Sequence, residues 1–189
     1  AGTDDADDYY RVVLFHRNSS VPLWTHTGSQ EYDRIRQVSI SSDGEYIAAA
    51  SDHNIVLFDK DSSTPLWSYT PDENVNSVDI SADGEYIVAG SDDDKVYLFD
   101  KDSSTPLWNY DTGGDVSAVD ISADGEYIIA GTLGHKAFLF DKDSSTPLWT
   151  YTAGDDVFSV SISADGEYIT VGSKDDTLRL FHRDSNDVI

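Results

Sequence analysis

Apolar and polar residues alternate over short stretches of this chain, and the stretches are separated by turns rich in Asp, Ser and Gly. Residues 75–81 (Val-Asn-Ser-Val-Asp-Ile-Ser) alternate, as in a strand whose two faces differ. Residues 86–91 (Tyr-Ile-Val-Ala-Gly-Ser) are nearly all apolar or small, as in a strand buried on both faces. Residues 95–99 and 107–110 predict two further strands. The pattern therefore predicts four short strands, called A to D, and no helix.

This pattern returns along the chain at a nearly constant spacing. The phrase Ser-(Ser/Ala)-Asp-Gly-Glu-Tyr-Ile occurs with its Asp at positions 43, 83, 124 and 165. The phrase Pro-Leu-Trp ends at positions 24, 67, 108 and 149. A period near 40 residues that consists only of strands and turns is typical of stacked β-blades. We therefore predict an all-β fold, a β-propeller of four four-stranded blades with repeats of about 41 residues, strand A innermost and an extra N-terminal strand.

The repeats define one propeller domain, residues 10–189, after an acidic segment, residues 1–9, that we expect to be mobile. Its repeat units are residues 10–25 (partial), 35–70, 75–110, 116–151 and 157–182 (partial). The first unit supplies only strands C and D, and the last supplies only A, B and C. We expect the terminal strands either to close the ring internally, with residues 10–15 as a surplus strand, or to pair head to tail between molecules as a ring or filament.

Charge and composition exclude several classes of partner. The chain has 36 acidic residues against 12 Lys and Arg, a net charge of −24, so we expect no binding to nucleic acid. No apolar stretch is long enough for membrane insertion. The absence of cysteine excludes disulfides, thiol nucleophiles and Cys-zinc sites. Acidity without cysteine leads us to expect an extracellular or cell-surface protein of a salt-adapted, halophilic archaeon, with a cytoplasmic location as the alternative.

The sequence contains no recognisable set of catalytic residues. The five histidines lack the short spacings of a metal pair, and no phosphate-binding loop or nucleophile elbow occurs. The Asp-Lys-Asp-Ser-Ser loops at 59–63, 100–104 and 141–145 offer alternate oxygens as a calcium loop does, but they lack its central Gly and closing acid. We expect capped turns there, and no cofactor, with calcium as the alternative. Asn18 begins a glycosylation sequon that matters if the protein is exported.

The connections vary at one end of the repeats and are almost copied at the other. The D–A loops and B–C turns differ between repeats, and antiparallel strands place these connections at the same end of a blade. Variable loops on a rigid frame are typical of binding surfaces, and drift in tolerant turns is the alternative. The predicted binding face comprises Arg36, Asn76, Ser117 and Phe158 at the starts of the A strands, and His53, Asp93, His135 and Asp175 in the B–C turns.

Residues 80–100 (Ile-Ser-Ala-Asp-Gly-Glu-Tyr-Ile-Val-Ala-Gly-Ser-Asp-Asp-Asp-Lys-Val-Tyr-Leu-Phe-Asp) resemble a WD40 repeat. The closing Trp-Asp of that family is Phe-Asp here, and its Gly-His before strand A is missing, so its hydrogen-bonded His, Ser/Thr, Asp and Trp set does not carry over. The spacing from Asp100 to Trp108 also resembles the docking motif of quinoprotein-like propellers, with Ser-Ser in place of Thr-Gly. The resemblance spans residues 11–183 and implies a β-propeller that serves as a binding or scaffolding module.

We therefore predict a non-catalytic protein-interaction or structural scaffold that self-associates through its terminal strands. One alternative is a quinoprotein-like redox enzyme domain, although such enzymes commonly use a Cys pair that this chain lacks. A second alternative is a calcium-stabilised adhesin. The predicted partners are further copies of the chain, other proteins, or both.

Overall fold

The computed structural model describes residues 9–31 and 33–189, so most of the predicted mobile segment lies outside the described residues. Seventeen strands and no helix occur in these residues, which confirms the all-β prediction. The strands are β1 (Tyr9–Phe15), β2 (Pro22–Glu31), β3 (Ile35–Ile40), β4 (Tyr46–Ser51), β5 (Ile55–Asp59), β6 (Trp67–Tyr69), β7 (Val75–Ile80), β8 (Tyr86–Ser91), β9 (Lys95–Asp100), β10 (Trp108–Asp111), β11 (Val116–Ile121), β12 (Tyr127–Thr132), β13 (Lys136–Asp141), β14 (Trp149–Thr152), β15 (Val157–Ile162), β16 (Tyr168–Ser173) and β17 (Thr177–His182). No helix able to cross a membrane is found among the described residues.

Successive strands pair antiparallel into separate sheets. We call these the N-terminal hairpin (β1–β2), blade 1 (β3–β6), blade 2 (β7–β10), blade 3 (β11–β14) and blade 4 (β15–β17). Blades 1 to 3 have four strands each, and blade 4 has three. The blade repeat is confirmed. The internal closure that we had considered is not formed among the described residues: there the hairpin is a sheet of its own, and β17 pairs with β16 and, through a single bridge from Phe181 to Val188, with the C-terminal residues.

Aromatic residues form the repeated contact between neighbouring blades. In blades 1 to 4, strand C carries a fully buried Phe that faces the Trp of the preceding strand D, with ring centroids 5.2 Å apart for Trp67 and Phe99. Trp67 Nε1 also donates to the carbonyl oxygen of Lys101 in the next C–D turn, at 2.7 Å. The same pairings are Trp24–Phe58, Trp108–Phe140 and Trp149–Phe181. The core is therefore a series of similar blade interfaces, as expected when each repeat buries its apolar face against its neighbours.

The nearly copied A–B turns are capped by their own Ser and Asp side chains. In blade 2, Ser81 Oγ donates to Asp83 Oδ1 at 2.6 Å, and the same carboxylate accepts from the Glu85 amide at 3.0 Å. Gly84 has φ +76°, a left-handed conformation that glycine adopts readily. Successive A strands, β3, β7, β11 and β15, lie side by side.

Candidate binding groove on the variable face

The starts of the A strands meet in one open groove. Arg36 on β3, Asn76 on β7, Ser117 on β11 and Phe158 on β15 line a cavity of about 650 Å³. Asp92, Asp115 and Leu133, from neighbouring B–C and D–A connections, complete its lining. The structure thus brings together the four strand A residues that the sequence singled out. Their role in binding stays a prediction.

Hydrogen bonds across the groove join each blade to the next. Arg36 Nη1 donates to Asn76 Oδ1 at 3.3 Å, and Asn76 Nδ2 donates to the Val116 carbonyl at 3.1 Å. Ser117 Oγ donates to the Val157 carbonyl at 2.5 Å. The polar side chains of the groove are therefore held in place before any ligand arrives, which lowers the entropic cost of binding.

The groove carries an ion pair at one end and an exposed apolar ring at the other. The carboxylate of Asp52 accepts hydrogen bonds from Arg36 Nε at 2.5 Å and from Arg34 Nε at 2.9 Å. Burial works against ionisation of Asp52, but the two guanidinium groups outweigh it and lower its pKa. The far end presents the exposed aromatic ring of Phe158. With Asp92 and Asp115 between these ends, the groove offers carboxylates and an apolar ring, a combination that suits a basic or aromatic peptide segment.

Two of the predicted B–C turn residues stabilise their own turns. The largely buried carboxylate of Asp93 accepts from the Tyr97 hydroxyl at 2.5 Å, and burial followed by this hydrogen bond raises the pKa of Tyr97. Asp175 accepts from Arg179 Nη2 at 2.7 Å and from the Gly154 amide at 2.8 Å. Arg179 holds the pKa of Asp175 far below its usual range. Neither residue lines the groove.

The two predicted histidines lie beside carboxylates of neighbouring loops. His53 Nδ1 is 3.4 Å from Asp33 Oδ1, a buried oxygen that accepts no hydrogen bond within the described part of the chain. His135 Nε2 is 3.2 Å from Asp156 Oδ1 and 3.9 Å from Asp155 Oδ1. Both histidine side chains are about half exposed and lie outside the lining of the groove.

His135, Asp155 and Asp156 form the one group of three metal-capable side chains found in residues 9–31 and 33–189, with ligand atoms within 4.8 Å of one another. Lys174 Nζ lies 3.5 Å from Asp156 Oδ2 and 3.9 Å from Asp155 Oδ1, so a cationic side chain already offsets part of the negative charge of this cluster. The loops that resemble calcium sites use their leading Asp as a turn cap, as Asp100 Oδ1 does for the Asp102 amide at 2.8 Å. The carboxylates thus have protein partners in both places.

Asn18, the candidate glycosylation site, is exposed in the turn between β1 and β2. Its backbone N–H donates to His16 Nδ1 at 3.3 Å, and its position at the surface leaves the side-chain amide accessible. Modification of this residue stays a prediction.

The A strands carry a second row of polar side chains that the sequence reasoning missed. Ser39 Oγ donates to Asp79 Oδ1 at 2.6 Å, and Ser161 Oγ donates to Asp120 Oδ2 at 2.9 Å. Between them Asp79 faces Asp120, and burial together with this second carboxyl raises the pKa of Asp79 to about 7. The signal was available, because all four residues hold the fifth position of their A strand.

Comparison with known families agrees with this geometry. The family model described as outer membrane protein assembly factor BamB, a quinoprotein-type repeat, matches residues 10–163. The model described as WD domain, G-beta repeat, matches residues 145–182. No curated protein matches the chain. Because the first match covers most of the sequence, the chain belongs to this family of propeller repeats.

Proposed function

We propose that this member of the BamB-type repeat family is a non-catalytic protein-interaction scaffold that associates with further copies of itself through the two ends of its row of blades. One observation carries the proposal. Apolar positions that are buried at every inner blade interface are exposed at both ends of the row. Exposed apolar surface of this kind marks an interaction site in a soluble domain.

At the C-terminal end, the exposed apolar residues lie on β17. Leu178 and Leu180 are 76% and 38% exposed. Their partners in register are Gly172 and Thr170 on β16, and the same register identifies the equivalent pairs in blades 1 to 3. The equivalent side chains there are fully buried: Ile55, Leu57, Val96, Leu98, Ala137 and Leu139. Blade 4 thus presents the surface on which another blade packs.

At the N-terminal end, the exposed apolar residues lie on β3. Val38 and Ile40 are 46% and 54% exposed. The equivalent residues of later A strands are buried: Val78, Ile80, Val119, Ile121, Val160 and Ile162. With Val12 and Leu14 of β1, the two residues line an apolar cleft of about 190 Å³. Strands A and B of a preceding blade would cover this cleft.

The net charge of −24 makes the association dependent on salt. Two copies repel each other at low ionic strength, whereas the Debye length falls to about 3 Å at 1 M salt and the apolar contact is then less opposed. Full burial of each Leu or Ile side chain contributes about 1.5–3 kcal/mol. A salt-rich extracellular or cell-surface environment fits these properties and is part of the proposal.

Substitution of the end residues tests the proposal. The variant Val38→Ser/Leu178→Ser should lose association in light scattering at high salt, since it removes one apolar contact from each end. Leu107→Ser is the matched control, because Leu107 is also exposed but lies in an inner blade. Association of the double variant equal to that of the control and the unmodified chain would rule out this function.

A redox enzyme domain is the second candidate, because the matching family is of quinoprotein type. The groove does not fit an anionic quinone, since Asp92 and Asp115 line it and Arg36 is bound to Asp52. Dye reduction by the chain on addition of quinone and calcium would favour this candidate over the scaffold.

A further inference from the structure

A Tyr-on-Gly contact joins the A–B turns of successive blades. A side chain placed at Gly84 would lie 2.5 Å from the ring of Tyr46, so the Tyr ring fills the space that only glycine leaves free. The three contacts of this kind are Tyr46–Gly84, Tyr86–Gly125 and Tyr127–Gly166. Each of these three glycines is therefore covered by a Tyr ring from the preceding blade.

The series leaves one half of the contact unmatched at each end. Around Gly44, the position of a Cβ atom has no neighbour within 4 Å in the part of the chain that the structure describes, so no ring from residues 9–31 or 33–189 covers this glycine. At the opposite end, the ring of Tyr168 is 46% exposed and covers no glycine. Gly44 in blade 1 and Tyr168 in blade 4 are thus the two complementary halves of one such contact.

A series of backbone hydrogen bonds ends in the same way. The Ser42 amide donates to the Ala82 carbonyl at 2.9 Å, and the Ala82 amide donates to the Ala123 carbonyl at 3.0 Å. The Ala123 amide in turn donates to the Ala164 carbonyl at 3.0 Å. The series therefore begins with the carbonyl of Ser42 and ends with the amide of Ala164, again an acceptor at one end and a donor at the other.

We propose that two copies dock head to tail as one further blade step, with Tyr168 of one copy on Gly44 of the next and the Ala164 amide bound to the Ser42 carbonyl. This rests on the proposed self-association and specifies its contact. The occupant is a second copy because the exposed surface continues an interface that the chain already forms between its own blades. Every group in the contact repeats one seen within the chain.

One strand must move for the copies to dock, because β17 of the first copy and β1 of the second hold equivalent positions. The C-terminal residues of the first copy must also leave the edge of β17, where Val188 bridges Phe181 and the Ile189 amide donates to the Leu180 carbonyl at 2.9 Å. Leu178 and Leu180 correspond to Val12 and Leu14, and both strands run into Phe-His-Arg. We assign the displacement to β1. Its Phe15 is exposed, whereas the equivalent Phe181 is fully buried against Trp149.

The result is a composite blade with β15, β16 and β17 from one copy and β2 from the next as strand D. In the hairpin Leu14 pairs with Trp24, and in blade 2 Leu98 pairs with Trp108. Leu180 can therefore take the place of Leu14 opposite Trp24. The bond from Trp24 Nε1 to the Lys60 carbonyl, 2.7 Å long, remains within the second copy.

Cysteine cross-linking tests the register, because the chain contains no cysteine of its own. Ser42→Cys and Ala164→Cys chains, mixed and oxidised at high salt, should give a disulfide dimer with one copy of each. A single chain that carries both Ala82→Cys and Ala123→Cys is the reference. These two residues make the same contact between blades 2 and 3, so this chain shows whether a disulfide can form at that spacing. Ser104→Cys, at an exposed turn residue, mixed with Ala164→Cys is the control that should stay unlinked.

The outcomes separate the two proposals. If the Ala82/Ala123 reference bond forms and the mixed pair fails while light scattering still shows dimers, the docking is wrong but self-association stands. If no association occurs, the proposed function itself fails. A chain carrying both Ser42→Cys and Ala164→Cys that closes its disulfide as a monomer would also overturn the docking between copies.

Locking β1 in place tests the strand exchange in the full chain. Val13 and Thr25 face each other across the hairpin, so Val13→Cys/Thr25→Cys can join β1 to β2. The oxidised chain should associate about tenfold more weakly than the unmodified chain, and reduction should restore association. Association of the oxidised chain at the unmodified level would show that β1 does not move.

Discussion

At the scale of single residues, the row of Ser and Asp side chains at the fifth positions of the A strands makes the stability of the blade packing depend on pH. Asp79 and Asp120 come from adjacent blades and lie too close for both to ionise without cost. A proton held between them therefore stabilises the contact between blades 2 and 3. Alternation along one strand does not show this pairing, which follows only when the fifth positions of successive A strands are compared.

The raised pKa of Asp79 predicts that stability falls as the pH rises. In the unfolded chain the carboxyl of Asp79 has a pKa of about 3.9. The folded protein holds its proton up to a pKa of about 7, so this stabilisation is complete below the unfolded pKa and is lost as pH rises through 7. The free energy of unfolding should drop by about 1–3 kcal/mol between about pH 5 and pH 8.

Chemical denaturation of Asp79→Asn checks this assignment. The Asn amide keeps an acceptor for Ser39 and donates to Asp120 without titrating. The free energy of unfolding of the variant should therefore fall much less as the pH rises than that of the unmodified chain. All other titratable groups remain in the variant and serve as an internal reference. An equal decline in the variant and the unmodified chain would place the titration elsewhere.

At the scale of elements, the repeat pattern predicted the strands closely. In the second blade the predicted segments 75–81, 86–91 and 95–99 became β7, β8 and β9 with ends shifted by at most one residue. Alternation and turn residues act locally, so they determine strands and turns well. The pairing of the terminal strands depends instead on contacts across a sheet edge, which local pattern does not record, and there the internal closure was not found.

The A–B turns allow a matched test of blade packing. Gly125→Ala and Gly44→Ala carry the same backbone strain, since the glycines have φ +74° and +76°. At Gly125 the methyl group would also lie 2.5 Å from the ring of Tyr86, whereas at Gly44 it meets nothing. Gly125→Ala should destabilise the chain by about 1–3 kcal/mol more than Gly44→Ala. Equal unfolding midpoints would mean that the Tyr-on-Gly contact contributes little.

At the scale of the whole molecule, the chain is a row of like interfaces with an unmatched surface at each end. The hydrophobic positions, the Tyr and Gly of the turns and the backbone hydrogen bonds all stop at the same two places. In repeat proteins each unit is stabilised mainly by its neighbours, so a terminal unit without a neighbour is the weakest part of the fold. Head-to-tail docking of further copies would supply the missing neighbour at both ends.

The most direct test is light scattering of the unmodified chain over a range of concentration, at low salt and at about 1 M salt. The account predicts a 20.8 kDa species at low salt and assemblies of two or more copies at high salt, increasing with protein concentration. A 20.8 kDa monomer under every condition would contradict it.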